Sequence, residues 1–201
     1  MITFKQFNNL IKEAHDNAVS HGFYDGVSMN PAEIRQRQML IVCEIAEAME
    51  ADRKKRWLID QETLFSELRN IVDGLSECDD FNSYYNLFVK GCVEEELADI
   101  CIRCFDMLAF MDAKREFIDE TFGHVKSHQY KDDGLLTTFS DLCHKLTSLI
   151  MPCHEASCTD IYLPVYFLFY WCDYNGIDLL THIKAKMMYN TNRPYKHGKA
   201  Y

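Results

Sequence analysis

The sequence predicts an all-α protein, a helical bundle, on three observations. Apolar residues recur at helical spacing in one segment after another. No stretch alternates apolar and polar residues as a half-buried strand does, and helix-start signals stand where the periodic stretches begin. With 201 residues, 48% of them hydrophobic, the chain is long enough to bury a substantial core and reads as a single domain over 1–201. No repeat of fixed period subdivides it.

The first helix is expected over 3–21. Thr3 serves as its N-cap, Phe4, Phe7, Leu10, Ile11, Ala14 and Ala18 form its apolar stripe, and Gly22 ends it before a loop at 22–30. Asn30-Pro31 starts the second helix, with Asn as cap and Pro in the first turn. This helix runs to about Trp57 on Met39, Leu40, Cys43, Ala46 and Met49. Residues 58–92 read as an elaborated connection. It holds a helical piece at 62–72, the turn formers Asp79, Asp80, Asn82 and Ser83, and an aromatic cluster of Tyr84, Tyr85 and Phe88.

A third long helix covers about 93–118, burying Val93, Leu97, Ile100, Cys101, Cys104, Phe105 and Leu108. Residues 123–134, polar with two glycines, form a loop. Helices near 135–151 and 159–175 follow, and the last spans about 178–190 and stops before Pro194. Residues 119–177 thus supply additional helices.

A formal charge of −10 argues against binding a nucleic-acid polymer, which calls for a basic face. No apolar run reaches the roughly 18 residues of a membrane span, so no membrane partner is expected. Lys5, Asn8, Asn9 and Lys12 break up the N-terminus, which does not read as a secretory signal. The nine cysteines are odd in number, and Cys43, Cys101, Cys104 and Cys172 fall in helical or apolar segments where Cys packs as a small core residue. A reducing cytoplasm is the expected compartment.

Two carboxylate pairs carry the chemistry: Glu44-Ile45-Ala46-Glu47 and Glu96-Leu97-Ala98-Asp99. Residues three apart lie roughly 60° apart around a helix, so both acids of a pair face one way. Glu44 and Glu47 meet only Ala48 and Ala51 at i+4, without the Lys or Arg of an ordinary solvated face. Glu94 and Glu95 are explained by the macrodipole of a helix N-terminus. Asp99 lies a turn deeper beside Ile100 and Cys101, where an unpaired carboxylate is costly. Taken alone, the Glu44 and Glu47 pair is equally a solvated face, whereas Asp99 is harder to dismiss. Together, on adjacent helices, the two pairs make four acids that a hard cation would reconcile.

The C-terminal segment supplies donors. Lys186, Asn190 and Arg193 follow i, i+4, i+7 spacing, and Tyr195-Lys196-His197-Gly198-Lys199 follows Pro194. Arg offers a fork for phosphate oxygens, Lys a point charge and Asn an amide. Taken alone, this segment is better explained by cations compensating a helix C-terminus ahead of a frayed tail.

Other constellations are weaker. Cys101-Ile102-Arg103-Cys104 with Cys143-His144, Cys153-His154 and Cys158 contains zinc-ligand types, but lacks a second C-x-x-C, so core cysteines are the favoured reading. A di-iron bundle needs Glu-x-x-His motifs, and there are none. Phe167, Phe169, Tyr170 and Trp171 belong in the core, whereas Trp57, Tyr84 and Tyr85 are candidates to stack on a base.

The order of these motifs resembles the all-α nucleoside triphosphate pyrophosphohydrolase superfamily, the MazG-like proteins and their dimeric dUTPase relatives. There an E-x-x-E helix precedes an E-x-x-D helix, and a Lys…Asn-x-x-Arg segment follows. The matching residues here are Glu44 and Glu47, Glu96 and Asp99, and Lys186, Asn190 and Arg193, with Tyr195–Lys199 similar to the segment that closes over phosphates. The resemblance covers roughly 31–110 and 178–201. The chain departs from it in the 48 residues between Glu47 and Glu96, a longer span than in compact members, and in 119–177, which have no assigned counterpart.

The resemblance implies cleavage of a (d)NTP to (d)NMP and pyrophosphate. Glu44, Glu47, Glu96 and Asp99 would hold Mg²⁺, or Mn²⁺ in its place, with Glu47 or Glu44 facing the attacking water. Lys186, Asn190, Arg193 and Lys199 would bind the phosphates. It also implies a homodimer. The alternative is a catalytically silent bundle that binds a nucleotide or another protein.

Overall fold

The computed structural model describes residues 3–112, 138–153 and 155–198. The expected loop at 123–134, the expected helical end at 113–118, His154, Lys199 and the side chain of Phe4 lie outside them. Among the described residues the chain is all helical, with no strand. Its elements are α1 (Phe4–Ser20), α2 (Pro31–Arg53), α3 (Glu62–Val72), α4 (Phe81–Phe88), α5 (Val93–Phe110), α6 (Phe139–Ile150), α7 (Cys158–Tyr174) and α8 (Leu179–Thr191), then a short turn at Tyr195–Gly198. None of these helices is long and apolar enough to cross a membrane.

Local chemistry fixes the helix starts. Thr3 and Gln6 form a reciprocal capping box at α1, and Asn30 accepts from the amides of Ala32 and Glu33 ahead of Pro31 at α2. Thr138 with Asp141 and Ser157 with Asp160 repeat the capping box at α6 and α7. The helix expected to end near Trp57 ends instead at Arg53, and Lys55 takes a left-handed φ of 55°. The cause is tertiary: the Glu94 carboxylate accepts the amides of Leu58 (2.9 Å) and Ile59 (2.7 Å), and the Arg56 carbonyl accepts from Val93 N (2.9 Å). This reach of α5 peels the chain off α2.

α5 is the central helix, packed against α1, α2, α7 and α8. Leu97, Ile100, Cys101, Cys104, Phe105 and Leu108 are fully buried along it. Burying such side chains contributes about 1.5–3 kcal/mol each, which is what orders the bundle around α5. The additional helices α6 and α7 pack on α2 and α5 and complete this main core with Leu142, Leu146, Ile161, Val165 and Leu168.

The connection at 58–92 builds a second apolar cluster of its own. Leu58, Leu68, Tyr85, Val89 and Cys92 pack with Ala185 and Tyr189 of α8. Tyr85 stacks on Tyr189 at 4.5 Å between centroids. That contact holds α8 in register beside α5 and positions the basic stripe.

Candidate functional site

α2 and α5 run antiparallel: Arg37 meets Asp106 near one end, and Arg56 meets Val93 near the other. Between these anchors the two acid pairs face each other. Carboxylate oxygens of Glu44, Glu96 and Asp99 lie within 4.8 Å of one another, forming the acidic group among the described residues that could hold a metal ion. Glu47 lines the same cleft of about 790 Å³ but is exposed, so it faces the solvent side of the trio.

Two cations are built into this floor. Arg103, one helical turn beyond Asp99, donates to Glu44 through Nε. Lys186, only 5% exposed, pairs with Asp99 at 2.6 Å and with Glu95, whose carboxylate also accepts from Gly91 N. Burial disfavours the Lys186 ammonium, but Asp99 and Glu95 outweigh it and raise its pKa, so it stays charged. Lys186, expected to bind phosphate, is therefore engaged by acids. Glu94 and Glu95 correct a second expectation. Both are buried, and hold Leu58, Ile59 and Lys186 by specific bonds instead of merely facing the helix dipole.

Five acids (Glu44, Glu47, Glu95, Glu96 and Asp99) thus meet two cations, leaving net negative charge at the cleft floor. Glu96 bears the excess. It is 7% exposed, and its carboxylate makes no ion pair or hydrogen bond among the described residues. Its pKa is pushed up to about 8, first by burial and then by Glu95, Asp99, Glu47 and Glu44. Burial also raises the Glu44 carboxyl, against the pull of Arg103. An all-oxygen donor set with unbalanced negative charge and one side open to solvent fits a hard divalent cation that keeps water ligands.

The basic stripe arrives as expected in part. Lys186 and Asn190 share the cleft-facing side of α8, whereas Arg193 lies beyond the helix, which ends at Thr191. Asn190 is 8% exposed and its Oδ1 has no hydrogen-bond partner, although it lines the cleft. Arg193 sits over the Tyr189 ring at 5.8 Å. Lys199 lies outside the described residues.

The tail before it docks on the α1–α2 loop. Lys196 N donates to the His21 carbonyl (2.8 Å) and Tyr195 Oη to Asp25 (2.8 Å), while His21 Nε2 lies 3.1 Å from the Arg193 carbonyl. Lys196 and His197 both take left-handed φ, 46° and 51°, a conformation these contacts must sustain.

Trp57, Tyr84 and Tyr85 do not line the cleft. Tyr85 is fully buried, Trp57 packs on Phe139 and Trp171, and Tyr84 donates to the Leu64 carbonyl. Cys101 and Cys104 are fully buried core thiols. At the other end of the cleft Asp106 gathers Tyr24 Oη (2.6 Å), His15 Nδ1 (2.8 Å) and Arg37 (3.4 Å), a network with no motif behind it. Arg103 did carry a signal, its i+4 spacing from Asp99. Arg37, Arg56 and Lys90, also on the cleft walls, carried none.

No protein-family model, curated protein or solved structure matches the chain.

Proposed function

We propose that the protein is a divalent-metal-dependent nucleoside triphosphate pyrophosphohydrolase of the MazG-like type. One observation carries this reading: two i, i+3 acid pairs from antiparallel helices converge on one cleft whose other walls carry cations and an unpartnered buried amide. That juxtaposition suits a metal-complexed polyphosphate, with anion and cation recognised on facing surfaces.

Glu44, Glu96 and Asp99 would hold Mg²⁺ or Mn²⁺. When bound, that ion supplies charge neutralisation for phosphate oxygens and a lowered pKa for water. Glu47 would take the proton as water oxygen attacks the α-phosphorus. The bond from that phosphorus to the α–β bridging oxygen breaks, and the products are the monophosphate and pyrophosphate. Arg103 fixes the Glu44 carboxylate, and Lys186 restrains Asp99. Asn190 and Arg193 would orient phosphate oxygens from α8 and the turn beyond it.

The test is pyrophosphate release across a panel of ribo- and deoxyribonucleoside triphosphates with Mg²⁺. At least one should be cleaved, EDTA should stop it, and Glu47→Ala should abolish turnover without changing the helical spectrum. A panel with no turnover would sink the reading. Nucleotide-dependent thermal stabilisation in that case would point to a silent binding bundle.

A further inference from the structure

The cleft is electrostatically polar along its length. Its walls follow α5, and from Val93 to Asp106 that helix rises about 20 Å. At the Asp106 end, Arg37 and Arg103 are neutralised by Asp106 and Glu44. At the Val93 end, Arg56, Lys90 and Arg193 line the cleft, and among the described residues none of them pairs with an acid. In a chain with 31 acidic and 21 basic side chains, three cations without an acidic partner at one end of one cleft offer a site for an external anion.

These cations are placed, not scattered. Arg56 donates through Nη2 to the Lys90 carbonyl at 2.8 Å, and its guanidinium fills the space beside Gly91, where a Cβ would lie 2.8 Å from Nη1. Lys90 Nζ and the Arg193 guanidinium both approach the Tyr189 ring, at 5.9 and 5.8 Å. Tyr189 is itself held by Asn86, to which its hydroxyl donates at 2.9 Å.

We propose that Arg56 and Lys90 are phosphate-binding residues that grip the distal end of a polyphosphate chain and select a triphosphate over a monophosphate. The inference rests on the hydrolase reading for its substrate class. It adds the direction in which substrate lies: distal phosphates toward Arg56 and Lys90, nucleoside toward Gln36, Leu40 and Asp106. Arg56 offers a planar fork to one phosphoryl group and Lys90 a point charge to the next.

The probe is inorganic tripolyphosphate with Mg²⁺, titrated calorimetrically into the full chain, beside orthophosphate and a nucleoside monophosphate. Arg56→Ala and Lys90→Ala should each weaken tripolyphosphate binding roughly tenfold, leave the two monophosphates almost unchanged, and flatten the salt dependence. Both side chains are exposed, so the variants keep the fold, and Arg56→Lys should recover part of the loss. Equal losses for tripolyphosphate and monophosphates, unchanged tripolyphosphate affinity in both variants, or no tripolyphosphate binding by the unaltered chain would each overturn the proposal. Turnover of nucleotides with unchanged tripolyphosphate affinity in the variants removes this proposal alone. Tripolyphosphate binding lost in the variants, with no nucleotide turned over, removes the hydrolase reading alone.

Discussion

The ammonium of Lys186 on α8 stands 2.6 Å from the Asp99 carboxylate on α5, so the basic stripe is tied by its first member to the acidic floor. Glu95 completes the bond, and stacked Tyr85 and Tyr189 lie about 6 Å from the same nitrogen. Lys186 works as a resident counter-ion to the acidic floor.

Lys186→Met therefore leaves Glu95 and Asp99 facing each other in a buried site. The expected loss is about 3 kcal/mol in urea denaturation. Part of it should return with millimolar-range Mg²⁺, which restores positive charge to the cluster. A neutral substitution, or no response to the ion, would show that the ion pair does not anchor α8.

Glu96 sets a pH dependence. Its pKa rises from an ordinary 4.5 to about 8 in the folded chain, so between those values the native state binds more protons than the unfolded one. Without a divalent ion its contribution to stability falls as pH rises from 4.5 through 8. A cation competes with that proton, so the rise in melting temperature given by Mg²⁺ should be larger at pH 8.5 than at pH 6. Glu96→Gln should remove most of the difference, and equal shifts at both pH values would contradict this assignment.

His182 acts in the opposite direction. Burial against Phe65, helped by the Arg69 charge and outweighing the opposing pull of Asp178, lowers its pKa from 6.5 to about 4. The unfolded chain then binds the extra proton, and stability is lost as pH falls from 6.5 toward 4. Between pH 7 and pH 4.5 this group should cost roughly 2 kcal/mol. His182→Phe should flatten that part of the stability profile, measured by urea denaturation at the two pH values. A profile as steep as in the unaltered chain would assign the acid sensitivity elsewhere.

Gly22 controls the docking of the tail. Its φ of +78° favours glycine, and a Cβ there would fall 2.0 Å from the Tyr195 ring. Gly22→Ala should cost about 1 kcal/mol. It should also free Tyr195 from Asp25, seen as faster proteolysis after Lys196 with the bundle intact. Unchanged cleavage would show that the tail is held without this contact.

Local chemistry was legible and tertiary chemistry was not. Thr3, Asn30 and Pro31 announce their helices because a cap acts within three residues, and the acid pairs announce themselves through helical spacing. The early end of α2 did not, because Glu94, 36 residues from Leu58, draws the chain away. Glu95 looked like a dipole-compensating acid because its partner Lys186 is 91 residues distant. Tyr85 looked free to stack on a base because nothing local says that α4 folds against α8. Arg56 and Lys90 are ordinary surface cations until α2 and α5 bring them to one cleft.

The most direct measurement is the binding of Mn²⁺ followed by electron paramagnetic resonance of the free ion, in the unaltered chain and in Asp99→Asn. If Glu44, Glu96 and Asp99 enclose a cation, the unaltered chain depletes the free-ion signal stoichiometrically, Mg²⁺ restores it, and Asp99→Asn leaves it intact. Identical free-ion signals for the two proteins would mean that the acids meet without holding a metal.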